Sequence, residues 1–128
     1  MSARILVVDD IAANVRLLEA KLAAEYFEVV TASSGPEALE IINRNAPDIV
    51  LLDVMMPGRD GWEVCRLMKQ HPSHGRGVRV VMVTALDQWD DKRQALQTGA
   101  DDYVTKPIDL PRLVRTVERN AAALQGAA

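Results

Sequence analysis

The chain has 128 residues, about one domain's worth, and its 48% hydrophobic content is enough to build a buried core. A net charge of −3 argues against sequence-independent nucleic-acid binding, which needs a basic surface; the single cysteine, Cys65, excludes an intramolecular disulfide and a thiolate metal cage. No apolar stretch approaches the roughly 20 residues that span a bilayer, and Met1-Ser2-Ala3-Arg4 enters a strand at once, so no membrane insertion, no signal peptide and a cytoplasmic location are expected.

The first apolar run, Ile5-Leu6-Val7-Val8, reads as a strand and ends in the adjacent carboxylates Asp9-Asp10. Residues from about Ala12 to Glu25 carry Val15, Leu18 and Leu22 on one helical face. Glu28 to Ala32 is a second strand, followed by Ser33-Ser34-Gly35-Pro36, where a serine can cap a helix and Pro36 suits its first turn. That helix groups Ala38, Ile41 and Ile42 and stops before Pro47. The third strand, Ile49-Val50-Leu51-Leu52, ends in Asp53 and runs into Val54-Met55-Met56-Pro57-Gly58. Asp60-Gly61 opens a helix from about Trp62 to Gln70, ended by the loop that contains His71, Pro72 and His74. Val80-Val81-Met82-Val83 ends in Thr84, and Asp87 can cap a fourth helix that stops at Thr98-Gly99. A short strand around Tyr103-Val104 precedes Lys106-Pro107. The final helix, from about Asp109, repeats Leu110, Leu113, Val114, Val117 and Ala121 at helical spacing.

This is β-α repeated five times, which predicts a parallel sheet with helices on both faces. Strands that are apolar without alternation fit burial on both sides. In such a sheet ligands sit at the carboxyl ends of the strands. Asp9, Asp10, Asp53, Thr84 and Lys106 would all be delivered to that edge.

Adjacent carboxylates suit Mg²⁺, which takes one or two protein oxygens and fills its octahedron with water and phosphate. Taken alone, Asp9-Asp10 serves equally as a helix N-cap. Asp53 is a candidate nucleophile toward phosphorus, giving an acyl phosphate, although Asp-x-x-x-Pro-Gly also sits well in a simple turn. Met55 can offer a metal only its backbone carbonyl, because a thioether is a poor Mg²⁺ ligand. Thr84 can donate to a phosphoryl oxygen and Lys106 can act as a point charge; alone, one is an ordinary strand residue and the other a surface lysine. Lys106-Pro107 is a candidate cis peptide. The combination, in this order on successive strand ends, is more specific than any member.

Asp9-Asp10, Asp53 within Leu-Leu-Asp-Val-Met-Met-Pro-Gly-Arg-Asp-Gly, Thr84-Ala85 and Lys106-Pro107 resemble the signature of response-regulator receiver domains. Val-Asp-Asp-Ile-x-x-Asn-Val-Arg-Leu-Leu-Glu and Thr-Lys-Pro-Ile-Asp are most similar to the first receiver of regulators with a diguanylate cyclase output. The resemblance implies a flavodoxin-like, doubly wound (βα)5 fold with strand order 2-1-3-4-5. It implies a receiver domain over residues 1–124, with 125–128 a tail or the start of a linker. Asp53 would take a phosphoryl group from a sensor histidine kinase or a histidine phosphotransfer protein. Asp10, Asp53 and the Met55 carbonyl would bind Mg²⁺, with Mn²⁺ as a substitute and Asp9 acting through water. Lys106 would pair with Asp53 at rest and with a phosphoryl oxygen afterwards. Thr84 would swing toward the phosphate and Tyr103 would turn inward. The face altered is built by the predicted fourth helix, the fifth strand and the final helix, a plausible homodimer surface. Met55 and Leu86 flank the path of the hydrolytic water in the family, and neither orients water strongly, so a long-lived phosphorylated state is expected.

Other residues are read more plainly. His71 and His74 are expected at the surface, Cys65 as a small core hydrophobe and Trp62 packed at the start of its helix. Trp89, among Asp87, Gln88, Asp90 and Asp91, is either a partner surface or local packing. Tyr103 alone would be half-buried packing on a short edge strand. An aspartyl-nucleophile enzyme of the haloacid-dehalogenase type would need a second acid where Met55 stands. A degenerate, unphosphorylated binding module would be missing a site residue, and none is missing. The chain is therefore expected to be a switch that assists its own phosphorylation, not a classical enzyme. It is either a stand-alone docking regulator or the N-terminal part of a diguanylate cyclase regulator.

Overall fold

A computed structural model describes residues 3–54, 61–70, 77–84, 97 and 99–126. Its elements are β1 (Arg4–Val8), α1 (Ala12–Ala24), β2 (Glu28–Ala32), α2 (Gly35–Arg44), β3 (Ile49–Asp53), α3 (Gly61–Lys69), β4 (Arg79–Thr84), β5 (Asp102–Thr105) and a C-terminal helix (Leu110–Gly126). The five strands form one parallel sheet in the order β2-β1-β3-β4-β5. This is the flavodoxin-like arrangement that the sequence predicts. The fourth predicted helix, Met55, His71, His74, Ala85, Leu86 and Trp89 lie outside the described residues.

Each strand's alternate residues feed two separate cores. Leu6, Val8, Val50, Leu52, Val80 and Met82 pack with Ala38 and Ile42 of α2 and Trp62, Cys65 and Met68 of α3. Ile5, Val7, Ile49, Leu51, Val81 and Val83 pack on the other side with Leu18 and Leu22 of α1 and Leu113 and Val117 of the C-terminal helix. Central strand β3 is buried along its whole length, which explains why its sequence is apolar without alternation. Cys65 and Trp62 are both core residues, as expected.

Local signals set the helix ends. The Ser34 hydroxyl accepts from the Glu37 N–H at 3.3 Å, while the Glu37 carboxylate accepts from the Ser33 N–H at 3.2 Å, so reciprocal capping starts α2. Helix α1 has Ile11 at its N-cap with no side-chain cap, so Asp9-Asp10 is not the capping residue of that helix. Its apolar stripe is weaker than expected: Leu18 and Leu22 are buried, Val15 is only half-buried and Leu17 is exposed.

The sheet order places a switch point between β1 and β3, where connections leave in opposite directions and a crevice opens at the carboxyl edge. Asp9-Asp10 follow β1 and Asp53 ends β3, so the crevice is lined by acids.

Candidate functional site

The carboxylates of Asp9, Asp10 and Asp53 offer oxygens that all lie within 4.8 Å of one another. Asp53 is only 2% exposed and Asp9 5%, whereas Asp10 faces solvent. Asp9 is fixed on both oxygens: Oδ1 accepts from the Ile11 N–H at 2.9 Å and Oδ2 from the Asn14 side-chain amide at 3.2 Å. No hydrogen bond joins the Asp10 carboxylate to another described residue, which leaves it available to an outside ligand. Asn14 is a positioning residue that the sequence offers only as part of a motif. Its spacing of five from Asp9 puts it one turn into α1, facing back over the crevice.

Lys106 Nζ reaches Asp53 Oδ2 at 3.2 Å, a contact between a partly buried lysine and a buried carboxylate. The Lys106 N–H donates to the Thr84 carbonyl at 2.7 Å, which ties the two strand ends together. Thr84 is 4% exposed at the end of β4. The Lys106–Pro107 peptide bond is cis. Tyr103 lies on edge strand β5 and is 38% exposed.

Three carboxylates and one ammonium leave a net charge of about −2 in a small crevice, and like charges this close disfavour one another. A divalent cation with hard oxygen preference answers that imbalance, so the donor set fits Mg²⁺.

Gly61 builds the floor beneath Asp53. A Cβ there would sit 2.5 Å from the Asp53 carbonyl oxygen and 2.7 Å from the Val54 Cα, both backbone atoms that cannot rotate away. The Gly61 N–H also donates to the Val54 carbonyl at 3.2 Å. Gly61→Ala is therefore expected to destabilise the fold by about 1–3 kcal/mol, read by urea unfolding. Unchanged stability would contradict this close packing.

The response regulator receiver domain family matches residues 5–118. The chain is 63% identical over 109 residues to the response regulator PleD of Caulobacter vibrioides, an alignment that spans 85% of this chain and 24% of PleD. It therefore covers about a quarter of the length of the curated relatives it matches. The fold is similar to the CheY-like response regulator receiver domain protein of Methanospirillum hungatei, with a TM-score of 0.90, 26% identity and full coverage of both chains. It is also similar to the signal receiver domain of a signal transduction histidine kinase from Syntrophus aciditrophicus, with a TM-score of 0.87 and 30% identity over 95% of this chain and 92% of that one. An acidic crevice at the switch point, the strand order and a family match across nearly the whole length agree: the chain belongs to the response regulator receiver domains of two-component signalling.

Proposed function

We propose that Asp53 is the phosphoryl acceptor of this receiver and that a phosphohistidine on a histidine kinase or phosphotransfer protein is the donor. The observation that carries the reading is the contact of Lys106 Nζ with Asp53 at 3.2 Å across a cluster of three acids. A buried carboxylate held by a cation, beside a buried Asp9 and a solvent-facing Asp10, is arranged to receive an anionic group. In the transfer, an Asp53 carboxylate oxygen forms the new bond to phosphorus. The phosphorus–nitrogen bond breaks, and the leaving imidazole keeps the electron pair and is protonated.

Asp10, Asp53 and the Met55 carbonyl would hold Mg²⁺, or Mn²⁺ in its place, with Asp9 acting through water. Bound there, the cation offsets the negative charge that collects on the phosphoryl oxygens. Lys106 gives up its Asp53 contact for a phosphoryl oxygen, and Thr84 donates its hydroxyl to another. Thr84 and Tyr103 are the switch: the space left by the hydroxyl admits the Tyr103 ring from the surface. The consequence is a two-state equilibrium biased by contacts that exist only after phosphorylation. The surface altered contains β5 and the C-terminal helix and is the proposed homodimer face.

In this reading the chain assists its own phosphorylation and does not turn over a substrate. Residues 1–124 form the cytoplasmic receiver unit, with 125–128 a tail or linker, and the regulator belongs with those that end in a diguanylate cyclase. A stand-alone docking regulator is the alternative.

Incubation with acetyl phosphate and Mg²⁺, read by intact mass, is expected to add one phosphoryl group to the wild type and none to Asp53→Asn. No gain in the wild type, or a gain that persists in Asp53→Asn, would overturn the assignment. The phosphorylated state is expected to be long-lived, because Met55 and Leu86 are apolar. The double variant Met55→Asn, Leu86→Glu should lose its phosphate at least several-fold faster in a mass-spectrometric time course. Equal rates would sink the lifetime claim.

A further inference from the structure

Asp9 and Asp10 are neighbours in the chain but are held in opposite ways. The Asp9 N–H donates to the Ala32 carbonyl at 3.2 Å, which ties its backbone to β2. Its carboxylate is gripped at both ends, Oδ1 by the Ile11 N–H at 2.9 Å and Oδ2 by the Asn14 amide at 3.2 Å. The two donors are themselves joined, because the Asn14 N–H donates to the Ile11 carbonyl at 3.0 Å. The first turn of α1 is thus a clamp on a buried carboxylate, and Asp9 cannot rotate in the crevice without giving up a bond. Asp10 is exposed and has no such tether among the described residues.

The clamp bears unequally on different cations. Each carboxylate oxygen has two lone pairs, so a hydrogen bond to each Asp9 oxygen still leaves room for a water in the shell of a bound ion. Direct coordination asks for more, since the carboxylate must turn and approach. Mg²⁺ does not need that: it keeps several waters and takes one or two carboxylates, and Asp10 and Asp53 supply them. Ca²⁺ takes roughly six to eight oxygens in a looser geometry and accepts carboxylates through both oxygens. A third direct carboxylate therefore adds more to Ca²⁺ binding than to Mg²⁺ binding. The Asn14 amide stands in its way.

We infer that Asn14 is a specificity-determining residue: by holding Asp9 Oδ2 it keeps Asp9 out of direct contact with the ion and sets the preference for Mg²⁺ over Ca²⁺. The inference rests on the metal reading given above and is independent of phosphoryl transfer. In Asn14→Ala the carboxylate keeps the Ile11 N–H and is free to pivot about Oδ1. Alanine favours a helix more than asparagine does, so α1 is preserved. The test uses the unphosphorylated protein, with Kd values taken from thermal unfolding across a series of magnesium or calcium chloride concentrations at constant ionic strength. The wild type is expected to bind Mg²⁺ more tightly than Ca²⁺. Asn14→Ala is expected to narrow the ratio of the two Kd values about tenfold, chiefly through tighter Ca²⁺ binding. Leu18→Val loosens the buried side of the same helix and leaves Asn14 in place, so it should lower the Tm and keep the wild-type ratio. If Asn14→Ala changes both Kd values by the same factor, or Leu18→Val shifts the ratio equally, Asn14 is a structural residue only and the inference falls. A wild type that binds the two ions equally overturns it too. A wild type that neither ion stabilises would defeat the metal reading itself and this inference with it, a result distinct from the others.

Discussion

The Asp10→Asn protein is expected to melt a few degrees higher than the wild type in the absence of divalent cations and to lose most of its response to Mg²⁺. Asp9, Asp10 and Asp53 place oxygens within 4.8 Å of one another. At an effective dielectric near 20, two unit charges at that separation repel by roughly 3 kcal/mol. Lys106 offsets part of this for Asp53, and the exposure of Asp10 screens part of the rest. A net relief of about 1 kcal/mol follows, a few degrees in Tm for a domain of this size. Asparagine keeps the shape of the side chain, and the Asp10 carboxylate has no hydrogen bond within the described residues to lose. Mg²⁺ reverses the ranking. A cation that binds only the folded state adds about 2.7 kcal/mol at a hundred times its Kd, and the variant has lost a ligand. Thermal unfolding with EDTA and with millimolar Mg²⁺ reads both effects. A wild type insensitive to Mg²⁺ would remove the metal from the mechanism, and a variant no more stable than wild type in EDTA would remove the repulsion.

The parts of the molecule legible in the sequence are those where one residue type carries one physical demand. Strands buried on both faces must be apolar throughout, so Ile5 to Val8, Ile49 to Leu52 and Val80 to Val83 announce themselves, and their order along the chain fixes a parallel sheet. A carboxylate at the end of such a strand, as at Asp53, is out of place unless it has work at the edge. Residues whose role lies in a contact made by folding, and not in their own type, are harder to read. Asn14 reads as a helix residue until Asp9 is seen to accept from it. Gly61 reads as a helix opener until its missing Cβ is set against the Asp53 carbonyl. Helix α1 misleads because Leu17 and Ile11 are apolar yet exposed, which blurs the stripe that marks Leu18 and Leu22 as core. Asp101 is not legible at all, because its partners Lys69 and Val80 lie 32 and 21 residues away in the chain.

Asp101→Ala is expected to destabilise the fold by about 2–4 kcal/mol while leaving the phosphoryl gain proposed for Asp53 at its wild-type rate. At the amino edge of the sheet, opposite the acidic crevice, Asp101 Oδ2 accepts from Lys69 Nζ and from the Val80 N–H, each at 2.8 Å. Lys69 also donates to the Val78 carbonyl at 2.8 Å, and Arg79 Nη1 stands 3.9 Å from Asp101 Oδ1. Arg79 Nε in turn donates to Asn120 Oδ1 at 2.9 Å. The Asn120 amide, 1% exposed, donates to Asp102 Oδ2 at 3.1 Å and to the Thr116 carbonyl at 2.8 Å. One polar chain therefore fastens α3, β4, β5 and the C-terminal helix. Truncating Asp101 leaves the buried Val80 N–H without its acceptor and the partly buried Lys69 ammonium with the Val78 carbonyl but no counter-charge, and the cost is that of those two losses. Asn120→Leu, which keeps the branching at Cγ, should cost a comparable amount because it orphans Arg79 Nε. Since both variants act through Arg79, the double variant should lose less than the sum of the two, and strict additivity in urea unfolding would break the network reading. Acid gives an independent test at Asp102. Burial pushes its carboxyl up, but the Arg119, Tyr103 N–H and Asn120 hydrogen bonds and the Arg119 charge outweigh burial and hold it below the usual carboxylate range. A depressed folded pKa contributes stability that is present above the unfolded value and is lost as pH falls through the folded one. Wild type should thus exceed Asp102→Asn in stability at neutral pH, and the two should converge below about pH 4. A gap that stays constant as the pH falls from about 4 through the folded value would show that the charge of Asp102 plays no part in the clamp.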